Sequence, residues 1–443
     1  MTAPQDGRAE PMKKGFLKLL KYAVTYVLLV MLGVGLLFLA GLCPQDKVEE
    51  NYLLSIDELE PEYYNHHILR QKWGSYSLDD WTEVIILSLS TYMDVKNSPG
   101  SVLKNAYPLE DDFTLEDARK TVENHEPADV FYTRYWHGFR IYVRALLSVM
   151  DYGSMRSFLM WGFFLLMSAA TLMLAFQTRS AWPPMLFTAG ILFVNPVVAH
   201  ALFQYSVCFY LAFIGMLFVP RWLKHPDEAP MGFMILGMAT MFFDFYTTPL
   251  LTVGLPLLAL LICQCYSKDP PRAKAMLLQT LKLFGVWFAS YVLMWIAKLT
   301  ITTVFTDQNA FASAWEASQS RLGIVKEEEF LFRYDKLATI ISAFKHLFDW
   351  PMLYTFLGIA LVALAVLFVL RTRDRAWYAR GAVMLLVASI PIIWILVGTQ
   401  PMYMHAHYQY RILAMTMLGG MYFCLLSIDR SRLPDVRLER RDE

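Results

Sequence analysis

Seven nearly unbroken apolar runs, at 16–42, 157–176, 247–266, 282–305, 351–370, 381–399 and 411–428, restrict this chain more than any other feature. Each is close to the length a helix needs to cross the hydrocarbon core of a bilayer, about 20 residues. The composition agrees: 56% of residues are hydrophobic and only 18% are charged, which is too apolar for one water-soluble domain of 443 residues.

Three further spans are expected. Residues 183–220 as one helix would be about 57 Å long at 1.5 Å per residue. Asn195-Pro196 interrupts that run, so two helices with a tight turn fit better. Residues 230–246 are apolar until Asp244, and Thr247-Thr248-Pro249 then restarts a helix. The expected fold is an all-α polytopic membrane protein of about ten transmembrane helices.

Loop charge orients the spans, since Lys and Arg collect on the cytoplasmic side of short loops. Lys13, Lys14, Lys18 and Lys21 sit before or at the start of the first span. Alternate loops carry Arg179; Arg221 and Lys224; Lys268, Arg272 and Lys274; and Arg371, Arg373, Arg375 and Arg380. The tail adds Arg430, Arg432, Arg437, Arg440 and Arg441, whereas the turns near 195 and 244 have neither Lys nor Arg. Both termini are thus expected in the cytoplasm. The division is then a cytoplasmic N-terminus at 1–15, a first transmembrane helix at 16–42, an extracytoplasmic segment at 43–156, a bundle of about nine helices at 157–428 with an outer loop at 306–350, and a cytoplasmic tail at 429–443.

The 43–156 segment is too long to be a connector. It holds an acidic start (Glu49, Glu50, Asp57, Glu58, Glu60), an amphipathic stretch from Leu78 to Tyr92, an acidic loop near Glu110 to Glu116, and a second amphipathic stretch from Phe131 to Val149. Helices lying on or near the membrane surface are expected there, rather than a separate β domain. No internal repeat is visible.

Formal net charge is zero, which argues against nucleic acid as a partner. Five cysteines give neither a disulfide framework nor a CxxC metal site. Cys43 follows Leu42, where a lipoprotein signal needs a small residue, so the first run is expected to remain as an uncleaved span.

Three clusters carry candidate chemistry. In Ser77-Leu78-Asp79-Asp80-Trp81-Thr82-Glu83, a helix would put Asp79 and Glu83 on one face, where a carboxylate could take a proton from a sugar hydroxyl. The plainer reading is a helix start, with Asp79 as the cap or Ser77 and Asp80 as a capping box. Arg134-Tyr135-Trp136-His137-Gly138-Phe139-Arg140, followed by Arg144, sets aromatic faces beside cations, which suits sugar stacking and phosphate recognition. An interfacial aromatic belt with snorkelling arginines would look alike. In the segment from Gln400 to Arg411, six of twelve residues are Tyr, His or Arg. His405 and His407 lack a nearby third ligand, so no metal is assigned, and a phosphate clamp by Arg411 with a histidine and Tyr410 is expected instead. Asp244, Asn195, His200, Gln204 and Lys298 are polar residues inside or beside spans, where such groups usually face a cavity or a partner.

A first span, a long outer segment with acidic residues, and many spans with basic cytoplasmic loops resemble the GT-C superfamily of membrane glycosyltransferases. The resemblance lies in topology along nearly the whole chain and not in a motif. It implies a bacterial cytoplasmic-membrane enzyme that takes a sugar from a polyprenyl-phosphate-linked donor in the bilayer and passes it to a glycan acceptor, with the catalytic acid in the first outer segment. Asp79 is the expected base, with Asp57 and Glu58 as rivals. Glu83 or Asp244 would orient the acceptor, and Arg134, His137, His407 and Arg411 would hold the carrier phosphate. Leu78-Asp79-Asp80-Trp81-Thr82-Glu83, Tyr135-Trp136-His137-Gly138, Phe243-Asp244-Phe245 and Tyr410-Arg411 also look like segments of uncharacterised membrane proteins from Gram-positive surface-polysaccharide loci. Such an enzyme needs no nucleotide cofactor, and the chain has no P-loop or dinucleotide fingerprint. The alternatives are a transporter or flippase for a lipid-linked or amphipathic solute, and a non-catalytic envelope-assembly protein.

Overall fold

The computed structural model describes residues 9–429 except 64–77, 94, 97, 111–112, 200, 245, 322–335, 349–351, 399–401 and 404. Ser77, His200 and the tail arginines therefore lie outside the described residues. The first long helix, α1 (Ala9–Ala40), leads into α2 (Gln45–Tyr63), α3 (Asp80–Thr91), α4 (Ser101–Lys104), α5 (Leu115–Glu123) and α6 (Arg140–Leu147). One small antiparallel ribbon interrupts them, β1 (Ala106–Tyr107) with β2 (Val130–Phe131), in the register Ala106 to Phe131 and Tyr107 to Val130.

The bundle follows as α7 (Tyr152–Thr178), α8 (Trp182–Leu192), α9 (Pro196–Ala199), α10 (Phe203–Leu217), α11 (Val219–Lys224), α12 (Ala229–Phe243), α13 (Leu250–Cys265) and α14 (Ala273–Phe305). After α15 (Ala310–Arg321) and α16 (Lys336–Leu347) come α17 (Met352–Leu370), α18 (Arg375–Val397), the short α19 (Ala406–Gln409) and α20 (Ala414–Ser427).

Among the described residues, six helical segments are long and apolar enough to cross a membrane: Gly15–Gly41, Tyr152–Thr178, Phe203–Lys224, Ala273–Phe305, Arg375–Val397 and Ala406–Ser427. The protein is accordingly an all-α, multi-pass membrane protein. Helices also occupy the other four expected runs, but α8, α12, α13 and α17 have 11, 15, 16 and 19 residues. Packing accounts for α13, whose residues are buried on every face except Gln264, as in a helix enclosed by its neighbours. By contrast, only 22% of the span window in α1 and 28% of that in α7 is covered by protein. Their outward Phe, Leu and Trp side chains need an apolar solvent.

The break at 195 is as expected. Asn195 has φ 54°, a left-handed conformation that Asn tolerates better than most residues, and Pro196 opens α9.

The 43–156 segment differs from a set of surface helices. It has its own core, built from Val48, Tyr52 and Ile56 of α2, Val84, Ile86 and Leu87 of α3, Leu115, Ala118 and Val122 of α5, and Val143 and Leu147 of α6. The Leu78 to Tyr92 stretch is not half-exposed: every residue of α3 is buried except Trp81, because α2, α6 and α10 all pack on it. The Phe131 to Val149 stretch is no single helix but β2, a turn and α6.

Polar connections segregate by end. At one end, the Thr372 amide donates to Ser427 (2.8 Å), Asp429 to Leu370 (2.7 Å), and Arg380 Nε to Pro271 (2.9 Å), which ties together the basic connections near 270, 372 and 428. At the other end, Tyr410 Oη donates to the Val194 carbonyl (3.2 Å) and Gln409 Nε2 to that of Tyr246 (3.3 Å). The turns near 195 and 244 and the α19 segment thus meet where α3 abuts α10.

Candidate functional site

Asp79 is the N-cap of α3. Its carboxylate accepts from the Thr82 amide (3.2 Å) and the Thr82 hydroxyl (2.8 Å), so both oxygens are aimed by the helix they start. The half-buried carboxylate lies within electrostatic reach of Tyr205 on α10 and of His407 on α19. The structure therefore joins the first and third sequence clusters, which are more than three hundred residues apart.

The aromatic wall is continuous. The Tyr205 and Tyr408 ring centroids are 5.1 Å apart, His407 and Tyr408 5.0 Å, and His405 and Tyr408 5.2 Å. The Arg411 guanidinium lies 4.6 Å from the Tyr205 ring and 5.0 Å from that of Tyr410.

Arg411 is completely buried, yet only one arm is spent on protein: Nη1 donates to the carbonyls of His407 (3.2 Å) and Tyr408 (3.4 Å). Among the described residues its Nε and Nη2, the Tyr205 hydroxyl and the Gln204 side-chain carboxamide find no hydrogen-bond partner, although all are buried. Buried polar atoms normally have partners, and a cluster of donors without them marks a place where a ligand or water belongs.

Sequence reasoning missed two members of this group. Tyr205 is hidden in an apolar run, where only its neighbour Gln204 was noticed. His346, in the last turn of α16, lies 5.9 Å ring to ring from Tyr410 and within electrostatic reach of His407. Its only signal is its position in a short helix whose last turn is basic.

Other expected site residues are held elsewhere. Glu83 is fully buried: Oε2 accepts from the Tyr152 hydroxyl (2.7 Å) and the Phe203 amide (3.0 Å), and Oε1 from the Gln204 amide (3.3 Å). The N-cap of α10, Leu202, has no side-chain acceptor, so Glu83 serves the free amides from a different helix. Burial outweighs these bonds and pushes the Glu83 carboxyl up to about 7.

Asp244 caps its own turn, accepting from the Thr247 hydroxyl (2.6 Å) and amide (3.1 Å), and it also accepts from the Cys208 thiol one turn along α10 from Gln204. The rivals Asp57 and Glu58 are engaged as well, the first by Arg119 and the second by the Gly153 amide (2.6 Å). Tyr410, fully buried, is anchored to Val194 as above.

The second cluster forms a joint with α14 and the end of α12, in which Arg134 Nε and Arg140 Nη1 have no partner among the described residues. Trp136 Nε1 donates to the Met294 carbonyl (2.7 Å) and Trp295 Nε1 to that of Arg134 (2.8 Å), while the Arg134 guanidinium lies 4.2 Å from the Tyr132 ring. Tyr135 is buried edge-on to His137 at 6.0 Å. The Gly138 amide donates to the Phe242 carbonyl (2.8 Å), and a Cβ there would lie 2.6 Å from that same oxygen, so only glycine fits.

Arg140 Nη2 donates to the Val102 carbonyl (2.6 Å), and Lys298 of α14 to that of Leu103. Arg144 donates to Ala40 (3.0 Å), Ser90 (2.9 Å) and Thr91 (2.7 Å), collecting the C-terminal carbonyls of α1 and α3. Buried cations at helix C-termini satisfy orphan carbonyls and complement the helix dipole. Burial first, then Arg140, Lys298 and Arg134, holds His137 well below its usual range, so its ring is neutral at pH 7. It is not a cation for phosphate.

Among the described residues, no group of three or more His, Cys, Asp or Glu side chains is arranged to hold a metal ion. No family model, curated protein or solved structure matches this chain.

Proposed function

We propose that this chain is a membrane glycosyltransferase of the cell envelope. It takes a sugar from a polyprenyl-phosphate-linked donor and passes it to a cell-surface glycan or lipid-linked acceptor, on the outer face of the bacterial cytoplasmic membrane. In this reading the chain crosses the bilayer about ten times, both termini are cytoplasmic, and the end bearing Asp79 faces out.

One observation carries the proposal: the half-buried Asp79 carboxylate shares a buried aromatic site with Arg411, whose Nε and Nη2 have no acceptor among the described residues. Asp79 takes the proton of an acceptor hydroxyl as that oxygen attacks the anomeric carbon. The bond from that carbon to the phosphate oxygen breaks, and the electron pair leaves with the lipid phosphate. Arg411, with the Tyr205 hydroxyl, donates to the phosphate oxygens as charge grows on them, the kind of fixed donor placement that stabilises a leaving anion.

The test is transfer of labelled sugar from a polyprenyl-phosphate donor by the purified protein in detergent, where a transporter has no second compartment and gives no product. Wild-type protein is expected to turn over, and Asp79→Asn to lose activity at least a hundredfold at unchanged melting temperature. Asn caps a helix as well as Asp does, so the change removes the base and spares the fold. No transfer by the wild type, or full activity in Asp79→Asn, rejects the proposal.

A further inference from the structure

A second cavity, of about 660 Å³, opens at the far end of α3 from Asp79. The twelve residues of α3 separate the two places by about 18 Å at 1.5 Å per residue. Its floor is the exit from α1, at Gly41 and Cys43, and its walls come from the end of α3, from α4 and from the β1–β2 ribbon. The volume falls within the range of small-ligand sites, roughly 300–1,000 Å³.

We propose that this cavity binds a short, uncharged oligosaccharide. The inference goes beyond the transfer reaction and stands on separate residues. Its wall carries both signs: Lys96 and Lys104, the latter also paired with Asp307, and Glu49 and Glu126, the former also accepting from Gln45 (2.6 Å). An inorganic or lipid phosphate would meet those two carboxylates, and an acyl chain would meet the polar wall. Sugar hydroxyls donate and accept in the same group and can use both kinds.

A buried group also awaits a partner. Ser101 lines this cavity and is more than nine-tenths buried, and its hydroxyl has no hydrogen-bond partner among the described residues. Phe131 and Tyr92 supply aromatic surface of the kind that packs against the C–H face of a sugar ring, and Phe131 remains 38% exposed.

The experiment is calorimetric titration of the full-length protein in detergent, without donor lipid, against maltotriose, triacetylchitotriose, trigalacturonic acid and inorganic phosphate. At least one neutral trisaccharide is expected to bind, and Glu126→Gln and Phe131→Ala to weaken it at least fivefold, while Arg411→Lys leaves it unchanged. Should Phe131→Ala lower the melting temperature, Glu126→Gln alone decides, since its side chain is exposed. The proposal is overturned if neither neutral trisaccharide binds, if only trigalacturonate or phosphate binds, or if neither wall substitution changes the affinity. Because no transfer is scored, failure here and failure of the Asp79 mechanism are read in different assays.

Discussion

Arg411 holds its guanidinium between two tyrosine rings with one arm on the α19 carbonyls and the rest unspent, a geometry that an ammonium cannot reproduce. Arg411→Lys is therefore expected to weaken binding of the lipid-phosphate donor although the charge is kept. Losing one charged hydrogen bond costs about 1.5–3 kcal/mol, or roughly ten- to a hundredfold in affinity. Donor titrations read by KM in the transfer assay check this, and an unchanged KM returns Arg411 to a packing role. The sequence made Arg411 conspicuous because a charge heads an apolar run. It made Arg140 equally conspicuous, and there Nη2 is taken by the Val102 carbonyl while Nη1 has no partner among the described residues. Residue type shows that a buried cation needs acceptors. Whether those are ligand oxygens or the carbonyl ends of helices from elsewhere in the chain depends on tertiary packing. Tyr205 shows the converse: in an apolar run a tyrosine passes for filler until its ring is found beside a guanidinium.

Between elements, the contact of Glu83 with the first turn of α10 is the clearest case of one helix completing another. Asp79 is the N-cap of α3 and Glu83 lies in its first turn, and packing gives them different work. The folded-state pKa of Glu83, about 7, lies above its ordinary value of 4.5. Its contribution is whole below about pH 4.5 and is lost as pH rises to about 7, because the unfolded chain releases the proton first. The change is bounded at about 3 kcal/mol by the shift. Thermal melts in detergent should show a fall in stability from pH 5 to pH 8 that is smaller in Glu83→Gln. Equal slopes for wild type and variant would count against this assignment. Helix existence was legible in the apolar runs, where run length and Asn195-Pro196 suffice for it, and not over Phe131 to Val149. The burial of α3 was not, because it depends on α2, α6 and α10 converging on faces whose serines and threonines look solvent-ready but turn back to their own helix, as Ser90 does to Ile86.

Across the whole molecule, basic connections gather at one end and the Asp79 site at the other. That separation is what loop charge implied, and its relation to the membrane has a direct test. A reporter active only outside the cytoplasm should work when fused after Lys104 or Asp307 and fail after Lys224 or Arg375. The opposite pattern would put the Asp79 site in the cytoplasm and remove the outer-face reaction. The number of spans was less legible than their positions, since hydropathy registers apolar length while α13 owes its burial to the helices around it.

Helix α4 is fastened in two ways that answer differently to the medium. Its carbonyls at Val102 and Leu103 are held by Arg140 and Lys298, both buried, and a carbonyl oxygen neither titrates nor attracts a counterion. One residue on, Lys104 pairs with Asp307 at 2.6 Å, with the aspartate 67% exposed, so ions and protons compete freely for it. Brine or acid is thus expected to loosen Lys104 from the chain just past α14 while the contacts at Val102 and Leu103 stay in place. Ionic strength is then expected to act on that one exposed link and not on whether the 43–156 segment stays attached.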